Sequence, residues 1–323
     1  MNQVKTMVIV ILSDLKQKHL EKIKSILPGG RCITAENIKE VDDRVLQEME
    51  VLAAWGFSGE VTPEMLAKSP NLKWLHVLSA GIERLPFDDL INRGILVTNS
   101  RGIHGIPIAE HVFAFILSFV RGFNILIRQQ IGRKWKKNKT QEVWGKTLGI
   151  IGAGSIGTEI AKRGKAFGME VIAVKRNPEP VEGIDRVYPS EDLKRVLSMS
   201  DFVVLSVPLT KETYHMIGEK ELAAMKPSAY LINISRGDVI DEQALIKVLR
   251  EGRIAGAGLD VFSTEPLPED SPLYGMENVI ITPHNAALSP MYITRAMEVF
   301  TFNLKAYQEG TPMKNIVDLR RGY

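Results

Sequence analysis

The stretch Thr147-Leu148-Gly149-Ile150-Ile151-Gly152-Ala153-Gly154-Ser155-Ile156-Gly157 is an apolar run that opens onto a G-x-G-x-x-G turn. Residues 147–151 read as a buried strand, and 158–167 as the helix that follows. In that context the three glycines have separate tasks. Gly152 permits the tight turn, Gly154 lets a pyrophosphate approach the backbone, and Gly157 lets the helix pack on the strand. The N-terminus of the helix then faces the anion. A glycine turn with no ligand would not need strand and helix in register on either side. Gly152, Gly154, Ser155, Ile156 and Gly157 are therefore candidate dinucleotide-binding residues.

The same alternation of strand and helix extends outward from this motif. Apolar runs at 170–174, 202–206, 230–234, 256–260 and 279–282 follow, with helical stretches between them. Before it, runs at 8–12, 51–54, 74–77 and 95–98 alternate with helices in the same way. A helix over 15–27 ends at Pro28-Gly29-Gly30. Strands alternating with helices imply βαβ units and mainly parallel sheets. The 323 residues, at roughly 100–200 per domain, favour two domains. The expected fold class is therefore α/β, with two doubly wound parallel-sheet domains. A long buried helix beginning near Pro107 separates the two series, and a last helix spans about 290–308.

Composition narrows the function. Lys+Arg 41 against Asp+Glu 38 gives +3, too balanced for a chain built to hold nucleic acid. Cys32 is the single cysteine, so no intrachain disulfide forms, in keeping with a reducing compartment. His104, His111 and His215 lack Cys or acidic partners at ligand spacing, and no metal site is expected. His76 lies within a strand pattern and reads as packed. The apolar stretch 111–127 is interrupted by Arg121 and closed by Arg128, short of the ~20 apolar residues of a membrane span. No signal peptide is legible. A soluble cytoplasmic protein with no nucleic-acid or membrane partner is expected. Arg133-Lys134-Trp135-Lys136-Lys137-Asn138-Lys139 reads as a solvated or subunit-contacting loop.

The strand after the glycine motif bears on which dinucleotide binds. An NAD site usually carries Asp or Glu roughly 20 residues on, bonded to the ribose 2′-hydroxyl. Here the strand ends Val174-Lys175-Arg176-Asn177. Two cations in place of the acid suit the 2′-phosphate of NADP, so NADP(H) is preferred and NAD(H) is the alternative. Val207 and Pro208 follow the strand 202–206 at the edge where ligands bind.

Three ionisable residues lie just beyond later strands: Arg236, Glu265 and His284. Reduction of a 2-keto acid needs a cation for the carboxylate and an acid for the nascent alkoxide. It also needs a group to orient that acid. Arg, His and Glu are suited to those tasks in that order. Spacing alone leaves the trio equally readable as surface ion pairs.

Five segments decide between those readings: 148–157, Asn233-Ile234-Ser235-Arg236-Gly237, Leu259-Asp260-Val261-Phe262, Glu265-Pro266-Leu267-Pro268 and Thr282-Pro283-His284-Asn285. Carrying them in this order, the chain resembles the D-2-hydroxyacid dehydrogenase family over nearly its whole length. Its lack of an acid at 175–176 is similar to the NADPH-using glyoxylate/hydroxypyruvate reductases. The resemblance implies that Arg236 binds substrate and that Glu265 pairs with His284, the acid/base. Asp260 would contact the nicotinamide carboxamide, with Thr213, Ile234 and Ser235 along the cofactor. A Rossmann cofactor domain, 101–286, would be inserted in a flavodoxin-like substrate domain formed by 1–100 and 287–323, the two closing over substrate. The resemblance also places a substrate loop at Leu78-Ser79-Ala80-Gly81-Ile82, with Arg236 and His284 as further substrate-binding residues. The resemblance also implies a D-2-hydroxy acid product and a homodimer.

Two other functions share this framework. One is an NAD-linked member such as a phosphoglycerate dehydrogenase, opposed by Lys175-Arg176 and by the short tail, which leaves no room for a regulatory domain. The other is a dinucleotide-sensing scaffold of the corepressor type, opposed by the lack of extra tails.

Overall fold

The computed structural model describes residues 6–56, 58–82 and 84–320. The chain divides into two compact units, Met1–Ile103 with Ser289–Tyr323, and His104–Leu288.

The first unit holds β1 (Val8–Leu12), α1 (Gln17–Ile26), β2 (Arg31–Ala35), α2 (Asp43–Glu48), β3 (Val51–Ala54), α3 (Pro63–Lys68), β4 (Trp74–Val77), α4 (Phe87–Asn92) and β5 (Leu96–Asn99). Its five strands are parallel in the order β2-β1-β3-β4-β5. Alternate side chains of the same strands feed opposite faces. Val10, Leu52 and Leu75 pack with Leu46, Met65 and Leu66 of α2 and α3. Ile9, Val51 and Trp74 pack with Ile23 of α1 and with Met297, Phe300 and Leu304. The last three belong to the C-terminal helix, Tyr292–Glu309, which returns to this unit. Burial on both faces makes the strands read as unbroken apolar runs.

The second unit begins with α5 (Gly105–Arg121) and α6 (Phe123–Ile131). It continues with β6 (Thr147–Ile151), α7 (Ser155–Ala166), β7 (Glu170–Val174), β8 (Arg186–Tyr188), α8 (Leu193–Met199), β9 (Phe202–Leu205), α9 (Glu219–Leu222), β10 (Tyr230–Asn233), α10 (Glu242–Arg250), β11 (Gly256–Leu259) and β12 (Val279–Ile281). The C-terminal helix Tyr292–Glu309 is α11. Seven parallel strands stand in the order β12-β11-β10-β9-β6-β7-β8. One face carries α5 and α7, with Phe115, Ile116 and Ile160 against Ile150, Val204 and Ile232. The other carries α8 to α10, with Leu197, Leu245 and Val248 against Ile151, Val203 and Leu231.

Both sheets agree with the expected doubly wound α/β class. Two edge strands, β2 and β8, are additional to the apolar runs read in the sequence. The single buried helix read across 111–127 is instead two helices. Gly122, at φ 71°, caps α5 in the left-handed region, and α6 leaves at a 71° bend. α6 has no buried residue, and Phe123, Ile127 and Ile131 are exposed. Among the described residues no single helix is long and apolar enough to cross a membrane. The basic segment 133–139 is exposed, apart from half-buried Asn138, and outside any helix or strand.

His76 is packed inside the first unit and 0% exposed. Its hydrogen bonds form a directed chain. The Trp74 indole N–H donates to Thr98 Oγ1 at 2.9 Å, and Thr98 Oγ1 lies 2.8 Å from His76 Nδ1. The Ser100 hydroxyl donates to the Val77 carbonyl. Indole is donor only, so the Thr98 hydroxyl donates to Nδ1, and Nε2–H donates to Ser100 Oγ, 3.2 Å away. This arrangement satisfies a neutral imidazole. Burial pushes the His76 pKa down to about 3. An unfolded histidine titrates near 6.5, so the unfolded chain takes up this proton first. The contribution is complete above that value and is lost as pH falls from it towards 3. Denaturation curves of this unit between pH 6.5 and 4 should steepen in pH dependence by about 1.4 kcal/mol per unit from this residue. His76→Gln should lack that increment, and an unchanged slope would show that His76 does not bind the extra proton on unfolding.

Candidate active site

Every candidate ligand-binding residue of the second unit lies at the carboxyl edge of its sheet. Ile151 is level with Val174 on one side and Leu205 on the other. Gly152, Lys175 and Ser206 therefore leave the sheet side by side, at the point where strand order reverses. Ligands of open α/β sheets bind at such a switch point. Asn233, Leu259 and Ile281 are likewise level. Arg236, Asp260 and His284 thus emerge along the same edge.

Gly152 has φ +104°, and a Cβ there would come within 2.8 Å of the Ser206 carbonyl oxygen. The Ser206 hydroxyl donates to the Gly152 carbonyl at 2.6 Å and ties the two crossovers together. A Cβ at Gly157 would lie 2.4 Å from that same carbonyl. Gly154 and Ser155 are exposed at the start of α7. Among the described residues, nothing accepts from the N–H groups of Gly154, Ser155 and Ile156. Three free donors at a helix N-terminus fit a dinucleotide pyrophosphate.

Beyond β7, Lys175 is held by its backbone N–H to the Tyr188 carbonyl. Arg176 and Asn177 are exposed. The Arg176 side chain makes no ion pair or hydrogen bond among the described residues. Its charge helps to hold the Glu212 carboxyl below its ordinary pKa, after the larger effect of the Thr210 hydroxyl. Val207 is half-buried and Pro208 exposed. Thr213 Oγ1 donates to the Pro208 carbonyl and accepts from the Thr210 N–H, so it braces this loop.

The loop after β10 is shaped by Asn233, a residue the sequence motif contains but whose role spacing does not reveal. Its Oδ1 accepts from both the N–H and the hydroxyl of Ser235, and its Nδ2 donates to the Arg236 carbonyl. Ile234 and Ser235 are buried, and Arg236 is exposed. One guanidinium nitrogen of Arg236 donates to the Ser235 carbonyl at 2.7 Å. Its other donors are unpartnered among the described residues. Gly237 lets this loop approach the next one, since a Cβ would lie 1.9 Å from the Phe262 carbonyl carbon.

Glu265 and His284 meet directly. Glu265 Oε1 accepts from the Phe262 N–H at 3.1 Å, and Oε2 lies 2.8 Å from His284 Nδ1. A carboxylate oxygen only accepts, so Nδ1 carries a proton and Nε2 is the atom left free. Both side chains are open to solvent. His284 has φ 54°, in the left-handed region that a non-glycine residue seldom adopts. Its N–H donates to the Asp260 carbonyl at 2.9 Å. Asp260 itself is 2% exposed. Its carboxylate accepts from the Thr282 hydroxyl and the N–H groups of Asn285 and Ala286. His111 reaches this cluster from α5, with Nε2 2.9 Å from Thr282 Oγ1. Burial lowers its pKa, against an opposing pull from Asp260.

The substrate-loop candidates belong to the first unit. Leu78 and Ser79 are buried at the end of β4, and Ala80 and Gly81 half-buried. The Ser79 hydroxyl donates to the Gly81 carbonyl and accepts from the Gly56 N–H. Among the described residues, the N–H groups of Ser79, Ala80 and Gly81 have no acceptor. Consecutive free N–H groups suit a carboxylate.

Residues 113–286, just over half of the chain, match the family described as D-isomer specific 2-hydroxyacid dehydrogenase, NAD binding domain. A glyoxylate reductase of Korarchaeum cryptofilum is 35% identical over 96% of this chain and 95% of its own. One of Thermococcus litoralis is 39% identical over 89% and 87%. A D-isomer specific 2-hydroxyacid dehydrogenase of Xanthobacter autotrophicus Py2, solved with NADPH and MES, superposes with a TM-score of 0.79 at 30% identity. That likeness covers 98% of this chain and all of the other. The strand order, the glycine turn and these likenesses agree. The chain belongs to the D-isomer specific 2-hydroxyacid dehydrogenases, and is a nicotinamide-dinucleotide-dependent oxidoreductase of small 2-keto and 2-hydroxy acids.

Proposed function

We propose that this protein is an NADPH-dependent reductase of glyoxylate or hydroxypyruvate that forms the D-2-hydroxy acid. The observation that carries the cofactor preference is Lys175-Arg176 at the end of β7, with an exposed guanidinium free of ion pairs among the described residues. The likeness to glyoxylate reductases supports the substrate class.

The N–H groups of Gly154, Ser155 and Ile156 would hold the pyrophosphate, and Lys175 and Arg176 the 2′-phosphate, with Asn177 beside them. Val207, Pro208, Thr213, Ile234 and Ser235 would line the dinucleotide, with Asp260 towards the carboxamide. When bound, the dinucleotide supplies the hydride. Arg236 would hold the keto acid's carboxylate through its free donors, and in the first unit the substrate-loop residues 79–81 offer N–H groups of their own to a carboxylate. His284 Nε2 would deliver the proton to the keto oxygen. Glu265, receiving Nδ1–H, directs Nε2 outward and offsets the charge of the protonated ring. The product is the 2-hydroxy acid, and His284 is left neutral until it is reprotonated.

We further infer a homodimer and a cytoplasmic location. Exposed Phe123, Ile127 and Ile131 of α6, with Trp135 beyond it, support an interface between copies.

His284→Ala should lower kcat about 10²- to 10⁴-fold while NADPH still binds. Near-wild-type turnover would remove His284 from the mechanism. Arg176→Ala should reduce the NADPH/NADH ratio of kcat/KM roughly 10- to 100-fold, the loss of a charge-assisted bond to phosphate. A ratio that stayed the same would mean Arg176 is a solvated strand end.

A further inference from the structure

Joined to the His284 segment by hydrogen bonds is a polar cluster around buried Asp260, one member of which, half-buried His111, comes from a different element. The cluster has a fixed direction. Both Asp260 carboxylate oxygens already accept backbone N–H groups, Oδ1 from Asn285 at 2.8 Å and Oδ2 from Ala286 at 3.0 Å. The Thr282 hydroxyl donates to Oδ1 at 2.5 Å. With its single proton so used, Thr282 Oγ1 accepts from His111 Nε2–H at 2.9 Å. The His111 ring is set in turn by an edge-to-face contact with Phe115, centroids 4.8 Å apart at 90°. His111 thereby keeps the hydroxyl turned towards Asp260.

Asp260 grips the segment that carries His284 at three successive residues. Its carbonyl takes the His284 N–H, and its carboxylate takes those of Asn285 and Ala286. His284 stands at φ 54°, a conformation that persists only where its surroundings over-determine it. We propose that His111 is a positioning residue for this reaction: through Thr282 it orients the Asp260 carboxylate, which holds His284 in the backbone conformation that presents Nε2. The proposal rests on the reading of His284 as the acid. Arg236 is held separately by Asn233, so loss of His111 should disturb proton delivery without weakening capture of the substrate carboxylate.

The test is steady-state reduction by the full chain, using the keto acid and reduced dinucleotide that the wild type turns over best. His111→Leu and Thr282→Val should each lower kcat roughly 10- to 100-fold, the scale for a misplaced catalytic group, at unchanged KM for the keto acid. His111→Gln, which can still donate to Thr282, and Thr282→Ser, which keeps the hydroxyl, should retain most of the activity. The double variant His111→Leu/Thr282→Val should be no slower than Thr282→Val alone, because His111 Nε2 hydrogen-bonds Thr282 and stands 3.7 Å from Asp260 Oδ1, too far to donate to it directly. Wild-type kcat in His111→Leu, a Gln variant as slow as the Leu variant, or losses that multiply in the double variant would each overturn the proposal. If His111→Leu does not fold, Thr282→Val against Thr282→Ser decides in the same way. His284→Ala in the same assay separates the two levels. Inactivity there beside an unaffected His111→Leu overturns this proposal alone, whereas full activity of His284→Ala overturns the reading of the acid as well.

Discussion

Parallel pairing in the second unit makes every strand release its chain at one edge of the sheet. The register between β6, β7 and β9 puts Gly152, Lys175 and Ser206 side by side. The register between β10, β11 and β12 does the same for the segments bearing Arg236, Asp260 and His284. No long-range loop has to be folded to collect these groups. Backbone hydrogen bonding places them, and helices on both faces make that pairing worth keeping by burying each strand twice. Arg236, Asp260 and His284 therefore lie one to three positions past a strand end, and Glu265 six.

A second constraint is the burial of Asp260. A carboxylate at 2% exposure must be satisfied by donors, and the donors here are the Thr282 hydroxyl and two backbone N–H groups of the same loop. Satisfying that carboxylate and shaping the His284 segment are thus the same set of bonds. Arg236 is shaped independently by the Asn233 side chain, and Glu265 by the Phe262 N–H. The contact of Gly237 with Phe262 brings those two loops together. Each candidate group has its own local support, while its reactive atom, Nε2 or the outer guanidinium donors, is left unpartnered among the described residues.

Much of this was legible in the sequence, and the reason is physical. Strands covered on both faces, such as Val8–Leu12 and Phe202–Leu205, appear as unbroken apolar runs. β2 and β8 escaped notice because each has one neighbour and little burial, so Arg31–Ala35 and Arg186–Tyr188 carry polar residues. The bend after α5 depends on one glycine, in a stretch whose hydropathy runs on through it. His284 and Glu265 were legible as motif members, and their meeting at 2.8 Å follows from where β11 and β12 end. The link from His111 to Thr282 was not, since 171 residues separate the two and neither lies in a periodic pattern with the other. The free N–H groups at residues 79–81 are a backbone property that residue types do not report.

In the proposed function, the carboxyl edge of the second sheet reduces a 2-keto acid with a dinucleotide chosen by Lys175 and Arg176. The most direct measurement follows the loss of reduced-nicotinamide absorbance with NADPH and with NADH, each against glyoxylate, hydroxypyruvate and pyruvate in one buffer. Turnover of glyoxylate or hydroxypyruvate with a large preference for NADPH is the expected result. A preference for NADH, or no turnover with any pair by protein that still binds the dinucleotide, would contradict it.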